Sequence, residues 1–285
     1  MTEPELAVLR RAYARHVAFA ARAEDGRLEE ALFDVRREAF MGPGPWLIGG
    51  GAGGPSRTPD AEPHWLYQDV LVSLLAEKML NNGQPTFLAF LIALARIQSG
   101  EHVVHIGAGV GYYTAIMAEL AGRTGRVTGI ELEPELAARA AANLAAWPQA
   151  EVVCADGSAH RLAPADVVFV NAGATRPLDL WLDALKEGGR LILPLCVGFK
   201  MPDGTPMTRG AIFLIERHGD AFTAAWKSPT AIYPCFGAQD AASEASLKAA
   251  LNRGGHDKVR RLLRTADVPD ETCWAKGPGW ALTFD

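Results

Sequence analysis

The order of hydrophobic and polar residues divides the chain into an N-terminal helical part and a longer part in which strands and helices alternate. In the first part, apolar residues recur at the spacing of one helix face and predict an amphipathic helix. These residues are Leu6, Leu9, Tyr13, Val17 and Ala20. A second helix is predicted over 27–40, ending before the Gly-Pro repeat at 42–45, because proline disfavours helical geometry in the residue ahead of it.

Between these helices and the alternating part, residues 42–63 are rich in glycine and proline, and this composition predicts a loop. A further helix is predicted over 86–97. The most apolar run of the chain, at 87–95, is about half the length that a membrane-spanning helix needs. We therefore expect no membrane-spanning segment.

From residue 102 onwards, short apolar runs alternate with helical patterns. The runs predict strands at 102–106, 126–132, 151–155, 166–171 and 190–195, the last after a Gly188-Gly189 turn. The helical patterns between them cover 113–120, 134–144 and 178–185. Because parallel strands need crossover connections, this alternation predicts a parallel sheet with helices on both faces.

The end of the chain follows a different pattern. Residues 211–217 and 221–229 predict a hairpin of antiparallel strands at the sheet edge, followed by a helix near 246–264 and a Trp-rich, strand-like tail. The predicted fold class is therefore α/β, with a doubly wound, mostly parallel, Rossmann-like sheet, an N-terminal helical extension and a C-terminal extension.

Composition and charge exclude several classes of function. The 285 residues are 49% hydrophobic and 21% charged, with a net charge of -5, which is typical of a globular protein and argues against nucleic acid or anionic lipid as a partner. The four cysteines lie far apart, at 154, 196, 235 and 273, without metal-ligand spacing. Together with the lack of a signal-like N-terminus, they indicate a cytoplasmic protein without a metal site.

The strongest chemical signal is a glycine loop directly after the first strand of the alternating part. It reads Gly107-Ala108-Gly109-Val110-Gly111. Glycines at such a position let the backbone turn sharply and approach a ligand at a helix N-terminus. A dinucleotide fingerprint would place a further glycine where the chain has Tyr112, which disfavours an NAD-dependent oxidoreductase.

Two acidic residues follow the next strands at their carboxyl ends. Glu131 closes the second strand, where a carboxylate can accept both ribose hydroxyl protons. Asp156 and Gly157 follow the third strand, where a carboxylate can meet the adenine amino group and glycine clears the ring face. Because the carboxyl ends of parallel strands meet at one edge, these features predict a nucleoside-binding crevice.

The segment from His102 to Leu195 resembles the core of the protein-L-isoaspartate O-methyltransferase family. The matching pieces are Val104-His105-Ile106-Gly107-Ala108-Gly109-Val110-Gly111-Tyr112, Gly129-Ile130-Glu131, Ala155-Asp156-Gly157 and Gly188-Gly189-Arg190-Leu191. Upstream, residues 27–40 are similar to the family's N-terminal helix and its arginine-glutamate-phenylalanine signature. The resemblance implies a class I methyltransferase that uses S-adenosylmethionine. The cofactor-binding residues it implies are His105, Gly107, Ala108, Gly109, Gly111, Tyr112, Glu131, Leu132, Asp156, Gly157 and Asn171.

The pattern of elements and the resemblance, which covers roughly 27–198, together divide the chain into three regions. We expect a helical region with the acceptor loop at 1–99, the S-adenosylmethionine-binding core at 100–198, and the edge hairpin and C-terminal extension at 199–285, packed on the same domain.

The acceptor loop is expected at Asn81-Asn82-Gly83-Gln84-Pro85, where the family carries threonine-x-serine-glutamine-proline. The resemblance implies that the first four of these residues act at the catalytic centre. Two departures matter: Gly83 replaces the serine thought to engage the substrate carboxylate, and His105 replaces an acidic residue before the glycine loop. We therefore expect poor activity on isoaspartyl peptides. A lone histidine on a buried strand is also compatible with a purely structural core position.

Carboxyl methylation suits a sequence without an obvious catalytic triad, because a carboxylate has a pKa of about 4 and is already nucleophilic at neutral pH. The side-chain amides of Asn81, Asn82 and Gln84, with the Gly83 backbone N–H, could hold such a carboxylate. Alternatively, the loop merely caps the helix that begins at 86.

Other acceptors and functions stay open at this point. A small-molecule or peptide hydroxyl or amine is an alternative acceptor, and a hydroxyl would need a general base, for which His105, His64 and Asp69 are candidates. A catalytically silent nucleoside-binding relative is the third possibility. The expected partner is thus a protein, peptide or small-molecule methyl acceptor.

Overall fold

The computed structural model describes residues 1–24, 26–49, 54–201 and 206–285. The chain forms two compact units. The first unit comprises 1–101 and 108–155, and the second unit comprises 102–107 and 156–285. The division into regions at 1–99, 100–198 and 199–285 stays a prediction. Helices and strands are numbered below in chain order.

The helices of the first unit follow the predicted positions closely. They are α1 (Glu3–Ala20), α2 (Arg27–Asp34), α3 (Pro85–Ala95), α4 (Tyr112–Ala121) and α5 (Pro134–Asn143). The second helix was predicted to reach residue 40, which is wrong. It ends at Asp34 because Val35 and Arg36 are extended, and the backbone N–H of Arg37 donates to Tyr67 Oη instead of to a helical carbonyl.

The strands of the first unit form two groups. A small antiparallel sheet has the order β2-β1-β3-β4, from β1 (Leu47–Gly49), β2 (Ser56–Arg57), β3 (Leu71–Leu75) and β4 (Leu80–Asn81). The prediction of a loop over 42–63 is therefore wrong at β1 and β2, which are too short to show a period in the sequence; residues 50–53 lie outside the described residues. The second group is the parallel pair β6 (Arg126–Glu131) and β7 (Ala150–Cys154).

The second unit is built on a sheet in which parallel strands are continued by antiparallel ones. Its strands are β5 (His102–Ile106), β8 (Ala165–Val170), β9 (Leu185–Lys200), β10 (Pro206–His218), β11 (Ala221–Thr230), β12 (Arg261–Leu263), β13 (Cys273–Gly277) and β14 (Trp280–Thr283). Their order is β13-β14-β12-β11-β10-β9-β8-β5. β5, β8 and β9 are parallel, as predicted, and the remaining pairs are antiparallel.

The structure confirms the α/β class and the antiparallel hairpin of β10 and β11, and it corrects the C-terminal region. The prediction that this hairpin lies at the sheet edge is wrong, because β11 pairs with β12 and the strands β14 and β13 follow beyond it. The predicted helix over 246–264 is α7 (Ala241–Arg253), which ends at Gly254 and Gly255 with φ of +75° and +79°. Arg261–Leu263 is instead β12, which pairs with β11 and β14. The short helix α6 (Asp179–Asp183) precedes β9. None of the helices in the described ranges is long and apolar enough to cross a membrane.

Candidate active site

The glycine loop between β5 and α4 adopts a conformation that side chains disfavour. Gly107, Gly109 and Gly111 have φ of +81°, +57° and +86°. Gly111 is the N-cap of α4, and its N–H donates to the carbonyl of Ala108 at 2.9 Å. The loop therefore delivers its main chain to the start of a helix, where N–H groups lack intrahelical partners.

Glu131 lies at the end of β6 and accepts a hydrogen bond from Gly109 of this loop. Both residues belong to the first unit. The Glu131 carboxylate is only 7% exposed; Oε2 accepts the Gly109 N–H at 2.7 Å and Oε1 accepts the Glu133 N–H at 3.0 Å. Burial raises the pKa of this carboxyl above its ordinary value, against the opposing effect of the backbone donors Glu133, Gly109 and Leu132. Since a carboxylate has about four acceptor positions, three backbone donors leave room for a ligand.

The second unit carries a different carboxylate after β7. Asp156 Oδ1 accepts the N–H and the hydroxyl of Ser158 at 2.8 and 2.6 Å. At the neighbouring Gly157, a Cβ would lie 2.5 Å from Ile106 Cγ2, so no larger residue fits there. Asn171, after β8, donates its amide to the carbonyl of Gly107 at 3.3 Å.

Sequence reasoning missed the segment 233–240, which lies against Asp156 in the second unit. A Cβ at Gly237 would overlap Ser158 Oγ and lie 2.9 Å from Asp156 Oδ2. Hydrogen bonds fix the segment to the chain after β8, through Gly173 N–H to Tyr233 O at 2.7 Å and Cys235 N–H to Gly173 O at 2.8 Å. The signal available in the sequence was a Pro-Cys-Phe-Gly turn without a helical or strand period.

Three of the predicted cofactor-binding residues have contrasting surroundings. The side chains of His105 and Tyr112 are fully buried, and Leu132 is 47% exposed. His105 packs edge-to-face on Phe169, with ring centroids 5.4 Å apart. Tyr112 packs in the same manner on Phe40 at 5.6 Å. Neither ring presents surface to a ligand.

The acceptor loop lies beside the first turn of α4. Gly83 O is 3.5 Å from the hydroxyl of Tyr113, the second residue of that helix. Gly83 itself has φ of +75°, and a Cβ there would lie 2.8 Å from Leu88 Cδ2. Serine at this position would therefore be strained, so Gly83→Ser does not simply restore the family's hydroxyl.

Some of the hydrogen-bond donors proposed for the acceptor loop already have partners within the chain. The Gly83 N–H donates to Asn81 Oδ1 at 2.8 Å, and the Gln84 amide donates to Asp69 Oδ2 at 2.7 Å. Asn82 is 6% exposed, and its Nδ2 has no hydrogen-bond partner. The amide of Asn82 is thus the donor of this group that the fold leaves unsatisfied.

The three candidates for a general base are poorly suited to that role. Burial lowers the pKa of the His105 imidazole to about 3, so it is neutral and sealed in the core. Asp69 is engaged by hydrogen bonds from Gln84 and Thr86. His64 packs at a tilt of 40° on Trp65, with ring centroids 4.4 Å apart. The arrangement favours an acceptor that needs no deprotonation.

Comparison with known proteins places these residues in a family. The family described as protein-L-isoaspartate(D-aspartate) O-methyltransferase matches residues 58–201, about half of the 285-residue chain. The matched range contains the acceptor loop, the glycine loop, Glu131 and Asp156, whereas segment 233–240 lies outside it.

Individual relatives carry the same name. A protein-L-isoaspartate O-methyltransferase of Rhodopseudomonas palustris is 31% identical over 202 residues, which cover 69% of this chain and 83% of the relative. One of Ignicoccus hospitalis is 32% identical over 170 residues, covering 58% and 72%. Four further relatives are matched over 43% to 64% of their length.

A solved structure shares the fold. It is a protein described as a putative protein-L-isoaspartate O-methyltransferase of Plasmodium falciparum in complex with S-adenosyl-L-homocysteine. Its TM-score is 0.60 at 15% identity, over 79% of this chain and 97% of that one. At this identity the likeness speaks for the fold alone.

Proposed function

The chain belongs to the protein-L-isoaspartate(D-aspartate) O-methyltransferase family, and from this premise we propose that it methylates a carboxylate of a protein or peptide acceptor. The methyl donor is S-adenosylmethionine, which supplies a methyl group on a positively charged sulfur. The observation that carries the proposal is the buried Glu131 carboxylate, which holds the glycine loop and keeps acceptor capacity beyond its three backbone donors.

The residues of the chain fit this donor. The acceptor capacity left on Glu131, at the carboxyl end of β6, suits a ribose hydroxyl group. Asp156 accepts both Ser158 hydrogen bonds on Oδ1, and we assign its Oδ2, which Gly237 approaches, to the adenine amino group. At Gly157 the space that a Cβ would take is filled by Ile106, so this glycine lets the chain after β7 pack closely on β5.

We infer the chemical class of the acceptor from the surroundings of the candidate general bases. A carboxylate needs no base, and the base candidates His105 and Asp69 are buried or engaged. The chain has to align donor and acceptor and exclude water, and alignment alone is worth on the order of 7–11 kcal/mol. The unsatisfied amide of Asn82 is the donor we assign to the acceptor carboxylate.

The acceptor loop also sets the expected activity on isoaspartyl peptides. Gly83 supplies no hydroxyl, and its positive φ shows that the loop is shaped around glycine. We propose that such a peptide is a weak substrate and that carboxyl chemistry is retained. We further propose a cytoplasmic location, which the four cysteines support, since none of them forms a disulfide.

One experiment tests the proposal. The protein is incubated with methyl-labelled S-adenosylmethionine and either an isoaspartyl peptide, the matching aspartyl peptide, or a mixture of cellular proteins. Label that is released by mild base is an ester and supports the proposal. Label that survives base indicates a hydroxyl or amine acceptor, and no label on any acceptor indicates a silent relative. Both results contradict carboxyl methylation.

A further inference from the structure

The carboxylate of Asp69 accepts hydrogen bonds from Gln84 and Thr86, the residues on either side of Pro85. Oδ1 accepts the Thr86 N–H at 2.8 Å, and Oδ2 accepts the Thr86 hydroxyl and the Gln84 amide at 2.7 Å each. Proline has no N–H, so Thr86 offers the first backbone donor of α3. Gln84, the N-cap, makes no side-chain cap of its own, so Asp69 caps α3 from elsewhere in the chain.

Arg37 holds the segment that carries Asp69. Its guanidinium is fully buried, and it donates to the carbonyls of Leu66 at 2.6 Å, Gln68 at 3.0 Å and Val70 at 2.9 Å. These carbonyls lie on both sides of Asp69 in the chain. A planar guanidinium has a rigid fork of donors, so it fixes the relative positions of the groups it binds.

Burying the charge of Arg37 costs free energy, so its hydrogen bonds and ring contacts must compensate for the loss of water. A charge taken out of water must be compensated by hydrogen bonds or by an opposite charge. The compensation here comes from main-chain carbonyls and from the rings of Tyr13 and Tyr112, each with its centroid 5.9 Å from the guanidinium carbon. The fold thus uses a buried cation to set the path of one short segment.

We propose that Asp69 is a positioning residue for the acceptor loop, and that Arg37 fixes it in that position. Asp69 holds Gln84 and the start of α3, and so it sets the path of the loop that presents Asn82 and Gly83. Its effect on turnover rests on the proposed methyl transfer, whereas its effect on the order of the loop does not.

The test compares Asp69→Asn with Asp60→Asn. Asp60 is a matched control in the same unit, because it also accepts one backbone N–H, from Glu62, and one side-chain N–H, from Trp65. We expect Asp69→Asn to accelerate hydrogen exchange in peptides covering 81–88 and to leave β6 and β7 unchanged. Asp60→Asn should affect only the neighbourhood of 62–65. Unchanged exchange over 81–88 in Asp69→Asn would overturn the proposal.

A second arm separates positioning from a general loss of stability. For Asp69→Asn, kcat/KM for the acceptor should fall on the order of 10- to 100-fold, while calorimetry shows the same affinity for S-adenosylhomocysteine as the wild type. Adding Gln84→Glu to Asp69→Asn exchanges amide and carboxylate between the two positions and should recover part of the loss. An equal loss of cofactor affinity, or no recovery in the double variant, would contradict positioning.

A milder variant covers the case in which Asp69→Asn does not fold. Thr86→Val removes the hydroxyl donor and keeps the backbone N–H, so it should loosen 81–88 less than Asp69→Asn does. No change at all in Thr86→Val would contradict the proposal. If the wild type shows no acceptor turnover, the proposed function fails, and the exchange measurements still decide the role of Asp69.

Discussion

In the first unit, one carboxylate accepts a backbone N–H of the glycine loop, and another accepts a backbone N–H directly after the acceptor loop. The two carboxylates differ in their other hydrogen-bond donors. Glu131 binds the N–H of Gly109 ahead of α4, and Asp69 binds the N–H of Thr86 at the start of α3. Glu131 accepts from the backbone of Gly109, Glu133 and Leu132, whereas Asp69 also accepts from the Thr86 hydroxyl and the Gln84 amide. The difference distinguishes a carboxylate available to a ligand from one that organises the chain.

The largest effect is expected where the acceptor loop is anchored. Arg37→Met removes the donors of three carbonyls, in one buried and two part-buried hydrogen bonds, and we expect the free energy of unfolding to fall by roughly 3–5 kcal/mol. Denaturant titration measures this change. Arg15→Met, at an exposed position of α1, is the control and should change stability by no more than about 0.5 kcal/mol. A similar change in unfolding free energy for both variants would mean that the hydrogen bonds of Arg37 to these carbonyls do not contribute to stability.

The next effect concerns the acceptor capacity that Glu131 keeps for a ligand. Glu131→Gln keeps the shape and removes the charge, and we expect it to weaken binding of S-adenosylhomocysteine by roughly 1.5–3 kcal/mol, since charged hydrogen bonds are lost. Equilibrium dialysis measures the affinity, and circular dichroism checks that the variant is folded. Unchanged affinity would show that the ribose does not bind Glu131 and would remove the contrast with Asp69.

A smaller effect is expected at Gly83. Both Gly83→Ala and Gly83→Ser should lower the free energy of unfolding by about 1–2 kcal/mol, because the positive φ disfavours any side chain and Leu88 lies in the way. Gly26→Ala, where a Cβ meets nothing within 4 Å, is the matched control. If Gly83→Ser alone were tolerated and raised activity on isoaspartyl peptides, the missing hydroxyl would outweigh the backbone conformation.

The smallest effect is the pH dependence that burial gives to Glu131. Its pKa in the folded protein is raised above the ordinary 4.5, so its contribution to stability is complete below the unfolded pKa and is lost as pH rises through the folded pKa. The unfolding free energy of the wild type minus that of Glu131→Gln should therefore decrease with rising pH across this window. An increase would mean that the backbone donors dominate over burial.

Local backbone features of the site could be predicted from the sequence, whereas hydrogen bonds between side chains and distant parts of the chain could not. Three glycines between a strand and a helix mark the loop at 107–111, because the required φ values depend on those residues alone. The Asp69–Thr86 and Arg37–Val70 bonds join residues that leave no periodic signal, 17 and 33 positions apart. The same reason explains why segment 233–240 was missed, since its contacts with Gly173 and Asp156 are long-range.

We propose that the chain binds S-adenosylmethionine through the glycine loop and Glu131. The wild-type protein can be titrated calorimetrically with S-adenosylhomocysteine and, separately, with NADH. We expect saturable binding of S-adenosylhomocysteine and no comparable binding of NADH, because Tyr112 stands where a dinucleotide fingerprint needs glycine. Tight binding of NADH without any response to S-adenosylhomocysteine would contradict the proposal.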